Sequence, residues 1–254
     1  MQPITITCLQ FYQHWENKEA NYQRILNLTQ ELKCDILVLP EMFDTGFSMA
    51  TDLAEPWHKG NASLRFLQHL SDRIEGAVYT SLMIKTKSGF TNRGVFVTPS
   101  GEMAYYDKRK TFKMAGEDLF FKEGKREQIV LYKGWKINLQ ICFDLRFPEL
   151  VRNKCVLGQP KYDLLLYVAN WPEKRIAHWD ALLQARAIEN QCIVVGVNRV
   201  GVDGNQHVYC GNSKLVGIDG SILWQAETNQ ECTASCTLNP ETLVAFRKKL
   251  PFLD

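Results

Sequence analysis

Apolar positions along the chain alternate between two periods. Residues 4–9 read as a strand, and residues 18–32 as a helix carrying Tyr22, Ile25, Leu28 and Leu32 near one face. Asp35 introduces Ile36-Leu37-Val38-Leu39, a continuous apolar run of the kind buried on both faces of a sheet. Pro40 stops this run and leaves Glu41 at its end. The pattern predicts a second helix over 62–73 and a strand over 77–84, with turns at Lys87-Ser88-Gly89 and Pro99-Ser100-Gly101 on either side of a strand at 93–98. Residues 129–132 and 136–142 form a predicted hairpin around Lys133-Gly134, and a helix is expected over 148–154. A strand at 162–169, a helix at 175–190 and a strand at 192–198 follow. Residues 212–218 and 221–225 flank Asp219-Gly220, a two-residue hairpin signal. Pro240, placed in the first turn after Asn239, opens a last helix. Helices between buried strands predict a layered α/β sandwich, and two rounds of strand, helix and strand hint at a duplicated layout.

Composition narrows this picture without redirecting it. A chain of 254 residues fits one domain over 1–254 with a large core. The formal charge of +2 points to neither nucleic acid nor a membrane surface, and no stretch approaches the roughly 18 apolar residues of a membrane-spanning helix. Met1-Gln2-Pro3-Ile4-Thr5-Ile6 reads as a first strand rather than a signal peptide, so a reducing cytoplasm is expected. Eight cysteines are scattered along the chain; Cys232 and Cys236 lack the second pair that a metal site would need, so structural roles are expected and no metal or cofactor is indicated.

Candidate chemistry concentrates in three segments. Cys142 ends the strand-like run before Phe143-Asp144-Leu145-Arg146-Phe147-Pro148, and a nucleophile at a strand end is rigidly held while the next amides face a pocket. A buried structural cysteine is the competing reading. Glu41, a carboxylate directly after a buried strand, is costly unless partnered, although a capping or ion-pair role would also account for it. Lys108, within Tyr105-Tyr106-Asp107-Lys108-Arg109-Lys110-Thr111-Phe112, reads by itself as a surface lysine. None of the five histidines (His14, His58, His69, His178 and His207) stands out as a base, and a Cys-His pair stays open.

LVLPEMF, YDKRKTF and QICFDLRFPEL together resemble, in this order, the strand-ending glutamate, lysine and cysteine motifs of the carbon-nitrogen hydrolase (nitrilase) superfamily. The resemblance continues through VANWPEKRIAHWDALLQARAIENQCIVVGVNRVG and YCGNSKLVGIDGSIL, and so spans essentially the whole chain. It implies a four-layer α-β-β-α sandwich with Cys142 as nucleophile, Glu41 as general base and Lys108 with the Phe143 amide as oxyanion donors. Glu117 matches a further glutamate of many members, against the reading of an exposed loop acid. The histidine often found two residues after the catalytic lysine is replaced by Lys110. The GFS after Glu41 and the KMAGED segment resemble bacterial omega-amidases, which cleave the terminal amide of 2-oxoglutaramate or 2-oxosuccinamate. Such a substrate carries a carboxylate, for which Arg146 and Arg175 are the candidate cations, with Arg146 alternatively bracing the nucleophile loop through Glu149 or another acid. Asn170 and Trp171 follow a buried strand where pockets form in α/β sheets, and Trp171 serves equally well as core. Amidases of the same superfamily acting on deaminated glutathione or N-carbamoyl amino acids, a silent scaffold, and a redox sensor using Cys142 with Cys155 are the alternatives. The resemblance further implies a homodimer formed through residues 148–154 and 175–190, and a small amide as the only ligand.

Overall fold

Alternation inside the apolar runs decides how the layers stack. In the computed structural model, which describes residues 1–58 and 60–253, Ile36 and Val38 face a core between two sheets, whereas Leu37 and Leu39 face the helices Lys18–Leu28 and Ala62–Ile74. The first sheet runs, edge to edge, Cys232–Leu238, Ile4–Gln10, Ile36–Val38, Ala77–Thr86, Gly89–Val97 and Met103–Asp107, with Glu55–Pro56 pairing beside Ala77–Thr86. The second runs Ile222–Gln225, Lys214–Val216, Ile193–Val197, Leu164–Val168, Trp135–Ile141 and Ile129–Tyr132. Each sheet has three parallel strands at its centre and, apart from the short parallel Glu55–Pro56, antiparallel strands outside them, so the duplicated layout expected from the pattern is a property of the topology. Helix Ile176–Asn190 covers the second sheet, where Gly196 lets Trp179 and Leu183 approach: a Cβ there would lie 2.7 and 2.6 Å from them. The result is two sheets flanked by helices. Among the described residues no helix is long and apolar enough to cross a membrane.

Most predicted elements form, and the departures have local causes. The first helix stops at Leu28 rather than residue 32, because the Thr29 hydroxyl donates to the Ile25 carbonyl (2.7 Å) and Arg73 donates to the Leu26 and Thr29 carbonyls. The helix expected over 148–154 is only the 3-10 turn Pro148–Leu150. Arg109 donates to the Leu150 carbonyl at 2.7 Å, the Tyr162 hydroxyl donates to that of Val151, and Asn153 bonds Tyr162 and Asn190. Tertiary partners thus take the groups a helix would have used, which leaves Ile176–Asn190 as the only helix on the expected pairing surface. Met103–Asp107 was not predicted as a strand: Met103 and Tyr105 are exposed, and only Tyr106 is buried. This strand nevertheless carries Lys108 to its end.

Two features of the packing matter for the site. Tyr79 in the first sheet donates its hydroxyl to the Gln140 carbonyl of the second at 2.9 Å, fixing one sheet against the other two residues before Cys142. The C-terminal ends of Ile36–Val38 and Leu164–Val168, the middle strands of the two parallel trios, then meet, with Glu41 following one and Asn170 the other.

Candidate active site

Cys142 sits where the strand Trp135–Ile141 turns into the 3-10 segment Cys142–Arg146, and its φ of 45° is left-handed. That conformation is uncommon for a residue with a Cβ and is held only where the surroundings over-determine it. Asp144 supplies much of the restraint. Its carboxylate accepts from the Ile141 amide (3.2 Å), the Tyr106 hydroxyl (2.8 Å) and the Lys110 amide (2.9 Å), tying the cysteine turn to the lysine loop. Lys110 contributes that amide and lays its ammonium 4.9 Å from the Phe147 ring. Burial, followed by the nearby Glu41 carboxylate, pushes the Cys142 thiol well above its ordinary range, so the resting sulfur is protonated and needs a base to attack.

A closed charge cluster lies against it. Lys108 Nζ donates to Glu41 Oε1 at 2.9 Å and to both Glu117 oxygens at 2.9 Å, and all three side chains are inaccessible to solvent. Burial alone would lower the Lys108 pKa, but the two carboxylates outweigh it and hold the ammonium charged. Burial raises the Glu117 carboxyl, and Lys108 opposes it. Glu117 also caps its own loop by accepting from the Phe112 amide at 2.5 Å, so it is a buried member of the site and not an exposed loop acid. Glu41 Oε2 accepts from the Asn170 amide at 3.0 Å, while the Glu41 carbonyl accepts from the side chains of Asn170 (2.5 Å) and Gln13 (3.0 Å). Met42, just after it, is left-handed at φ 44°. The structure thus brings Glu41, Lys108, Glu117 and Cys142 together.

Outward from Cys142 a cavity of about 490 Å³, counting its open mouth, is lined by Lys108, Phe143, Asn170, Trp171, Arg146 and Arg175. It also takes in Phe47, Phe112, Ala115, Pro172, His207 and Tyr209. Arg146 makes no ion pair with Glu149 or with any other carboxylate among the described residues, which removes its bracing role. Its guanidinium lies 4.7 Å from the Trp171 ring and bonds His178 Nδ1 at 3.1 Å. Arg175 stands 5.1 Å from the Phe112 ring and likewise has no carboxylate partner among the described residues. Trp171 fills both proposed parts, lining the cavity while its Nε1 donates to the Arg175 carbonyl (2.8 Å) and its ring meets Trp179. His207, which no local motif singles out, reaches the wall because Asp203 gathers the amides of Asn205 and His207 and the Tyr209 hydroxyl at 2.8–2.9 Å. Only the Asp-Gly turn at 203–204 hints at this. Cys155 lies on an exposed hairpin outside this lining, which argues against pairing with Cys142 in a redox role.

The profile of the carbon-nitrogen hydrolase family matches residues 5–248. The chain belongs to that family. Its sequence is 42% identical to the omega-amidase YafV of Yersinia enterocolitica, over 99% of this chain and 96% of that protein. It is 32% identical to the 2-oxoglutaramate amidase of Paenarthrobacter nicotinovorans, over 93% and 83% of the two chains. The crystal structure of XC1258 from Xanthomonas campestris, a CN-hydrolase superfamily protein with an arsenic adduct in its active site, superposes with a TM-score of 0.96 at 37% identity, over 99% and 96% of the two chains. The chain accordingly has the two-sheet α/β fold of the carbon-nitrogen hydrolase (nitrilase) superfamily.

Asp144 gives a testable pH effect. Burial outweighs the Lys108 charge and the Tyr106 hydrogen bond and pushes its carboxyl from 3.8 to about 7. The native protein therefore holds a proton that the unfolded chain releases, so this contribution to stability is full below about pH 4 and lost as pH rises through about 7. Urea unfolding of the wild type and Asp144→Asn should show the wild type losing stability relative to the variant between pH 4.5 and 7.5. Parallel pH dependences would contradict this.

Proposed function

We propose that this carbon-nitrogen hydrolase is an omega-amidase, releasing ammonia from the terminal amide of a small 2-oxo acid amide such as 2-oxoglutaramate or 2-oxosuccinamate. Glu41 takes the proton of Cys142, and the thiolate attacks the amide carbon. The oxyanion so formed is held by Lys108 and by the Phe143 amide, which stands in the first turn of Cys142–Arg146, where amides have no partner within the helix. Protonated Glu41 passes its proton to the departing amine, and ammonia leaves behind a thioester on Cys142. Water attacks the thioester after giving a proton to Glu41, and that proton returns to the thiolate as the carboxylic acid departs. Glu117 keeps Lys108 charged and aimed throughout.

The observation that carries the substrate class is the pair of arginines at the cavity mouth. Burial, followed by the neighbouring Arg175 charge, lowers the Arg146 pKa, and no carboxylate among the described residues relieves either guanidinium. Two unneutralised cations facing a cavity that ends at a nucleophile suit a substrate with an anionic end remote from its amide. The omega-amidase and 2-oxoglutaramate amidase names of the relatives support the same reading. We place the enzyme in the reducing cytoplasm, where a catalytic thiol stays free, and take the active form as a homodimer that pairs through Ile176–Asn190, where Ile188 is exposed.

Ammonia release from 2-oxoglutaramate should exceed that from glutamine, deaminated glutathione and an N-carbamoyl amino acid, and should vanish in Cys142→Ala. Arg146→Ala and Arg175→Ala should each raise KM for 2-oxoglutaramate roughly 10- to 100-fold, the worth of one charge-assisted hydrogen bond, while sparing a neutral aliphatic amide. Preference for another substrate in the panel would replace the assignment. Light scattering should give twice the chain mass at micromolar concentration, and a single-chain mass would remove the dimer.

A further inference from the structure

Asn92 lies within the strand Gly89–Val97, and its carbonyl accepts from the Lys108 amide at 2.9 Å. Its side chain, 1% exposed, is turned into the charge cluster: Nδ2 is 2.8 Å from Glu41 Oε1 and 3.3 Å from Glu117 Oε1. Carboxylates only accept, so the amide nitrogen must be the end that faces them. Two donors therefore bridge the same two oxygens, the Lys108 ammonium and the neutral Asn92 amide. The Asn92 Oδ1 accepts no hydrogen bond from the described residues, an arrangement that satisfies the donor half of the amide at the expense of the other.

With Oε1 of Glu41 occupied by two donors, Oε2 keeps a single one, the Asn170 amide at 3.0 Å. The Cys142 sulfur lies 3.9 Å from the carbonyl of that same Asn170. One stretch of backbone thus borders both Oε2 and the thiol. We infer that Asn92 is a positioning residue, which fixes the rotation of the Glu41 carboxylate so that Oε2 receives the thiol proton. It also stays bound to both glutamates when the Lys108 ammonium turns towards the substrate oxyanion. Asn92 exchanges no proton itself; its two N–H bonds are the fixed counterpart to the donor that moves.

The inference rests on Glu41 acting as the base, and one of its readouts needs no amide substrate. In Asn92→Ala, alkylation of Cys142 by iodoacetamide, followed by mass spectrometry of the Cys142 peptide, should slow across the pH range. With whichever amide the wild type hydrolyses, kcat should fall roughly 10- to 100-fold with KM changed by less than about threefold. The acid limb of the kcat profile should move to higher pH, since losing a donor favours the protonated carboxyls. Asn92→Thr, whose hydroxyl keeps one donor, should recover part of the rate. Alkylation and kcat within about threefold of wild type, with an unmoved acid limb, would overturn the inference. A loss explained entirely by a lower folded fraction in thermal unfolding, with the folded molecules reacting normally, would overturn it too.

Discussion

The ammonium of Lys108, sealed between Glu41 and Glu117, is the interaction around which the rest of this molecule is arranged. Taking a charge out of water costs several kcal/mol per ion even after relaxation, and here three ionisable groups are buried together. The attraction between them offsets that cost only if the geometry is tight and the remaining lone pairs are filled. The fold meets both conditions with main-chain and amide donors from distant segments: the Phe112 amide on Glu117, the Asn170 amide on Glu41, and the Asn92 side chain on both. Removing any one donor would leave a buried carboxylate oxygen short of a partner, so the cluster constrains the ends of three strands and the interior of a fourth at once.

Strain and polarity are distributed around this cluster in a consistent way. Cys142 and Met42, one the reacting residue and the other next to the base, are both left-handed, at a cost of about 1–3 kcal/mol each. Each is held by hydrogen bonds that cross from one sheet to the other: Tyr106 to Asp144 on the cysteine side, and Asn170 to the Glu41 carbonyl on the glutamate side. The inner end of the cavity is thus rigid and densely hydrogen-bonded, while farther out two arginines have no carboxylate partner among the described residues. A preorganised inner end and an unanswered cationic mouth are what a small amide with a remote carboxylate requires.

Much of this was legible in the chain. Buried runs such as residues 36–39 and the turns that end them placed Glu41 and Cys142 at strand ends, and the three motifs in order identified the family and brought Lys108 and Glu117 with them. What escaped had no local signature. Met103–Asp107 buries only Tyr106 and lacks apolar alternation, so only its pairing with Gly89–Val97 makes it a strand. The turn at Pro148–Leu150 looks helical until partners remote in sequence capture its carbonyls. Asn92 reads as one more polar strand residue, because the glutamates that give it meaning are 51 and 25 positions away. His207 and Tyr209 reach the cavity through the packing of a short hairpin, again a matter of three dimensions.

In the mechanism proposed, the buried cluster makes Cys142 a nucleophile that carries the acyl group between two half-reactions. Acid quenching of the enzyme during turnover of 2-oxoglutaramate, followed by mass spectrometry of the peptide containing Cys142, tests it most directly. A thioester on Cys142 should accumulate within one turnover and disappear as substrate is exhausted. Steady ammonia release with Cys142 unmodified at every quench time, and with the Cys142→Ala protein still active, would contradict it.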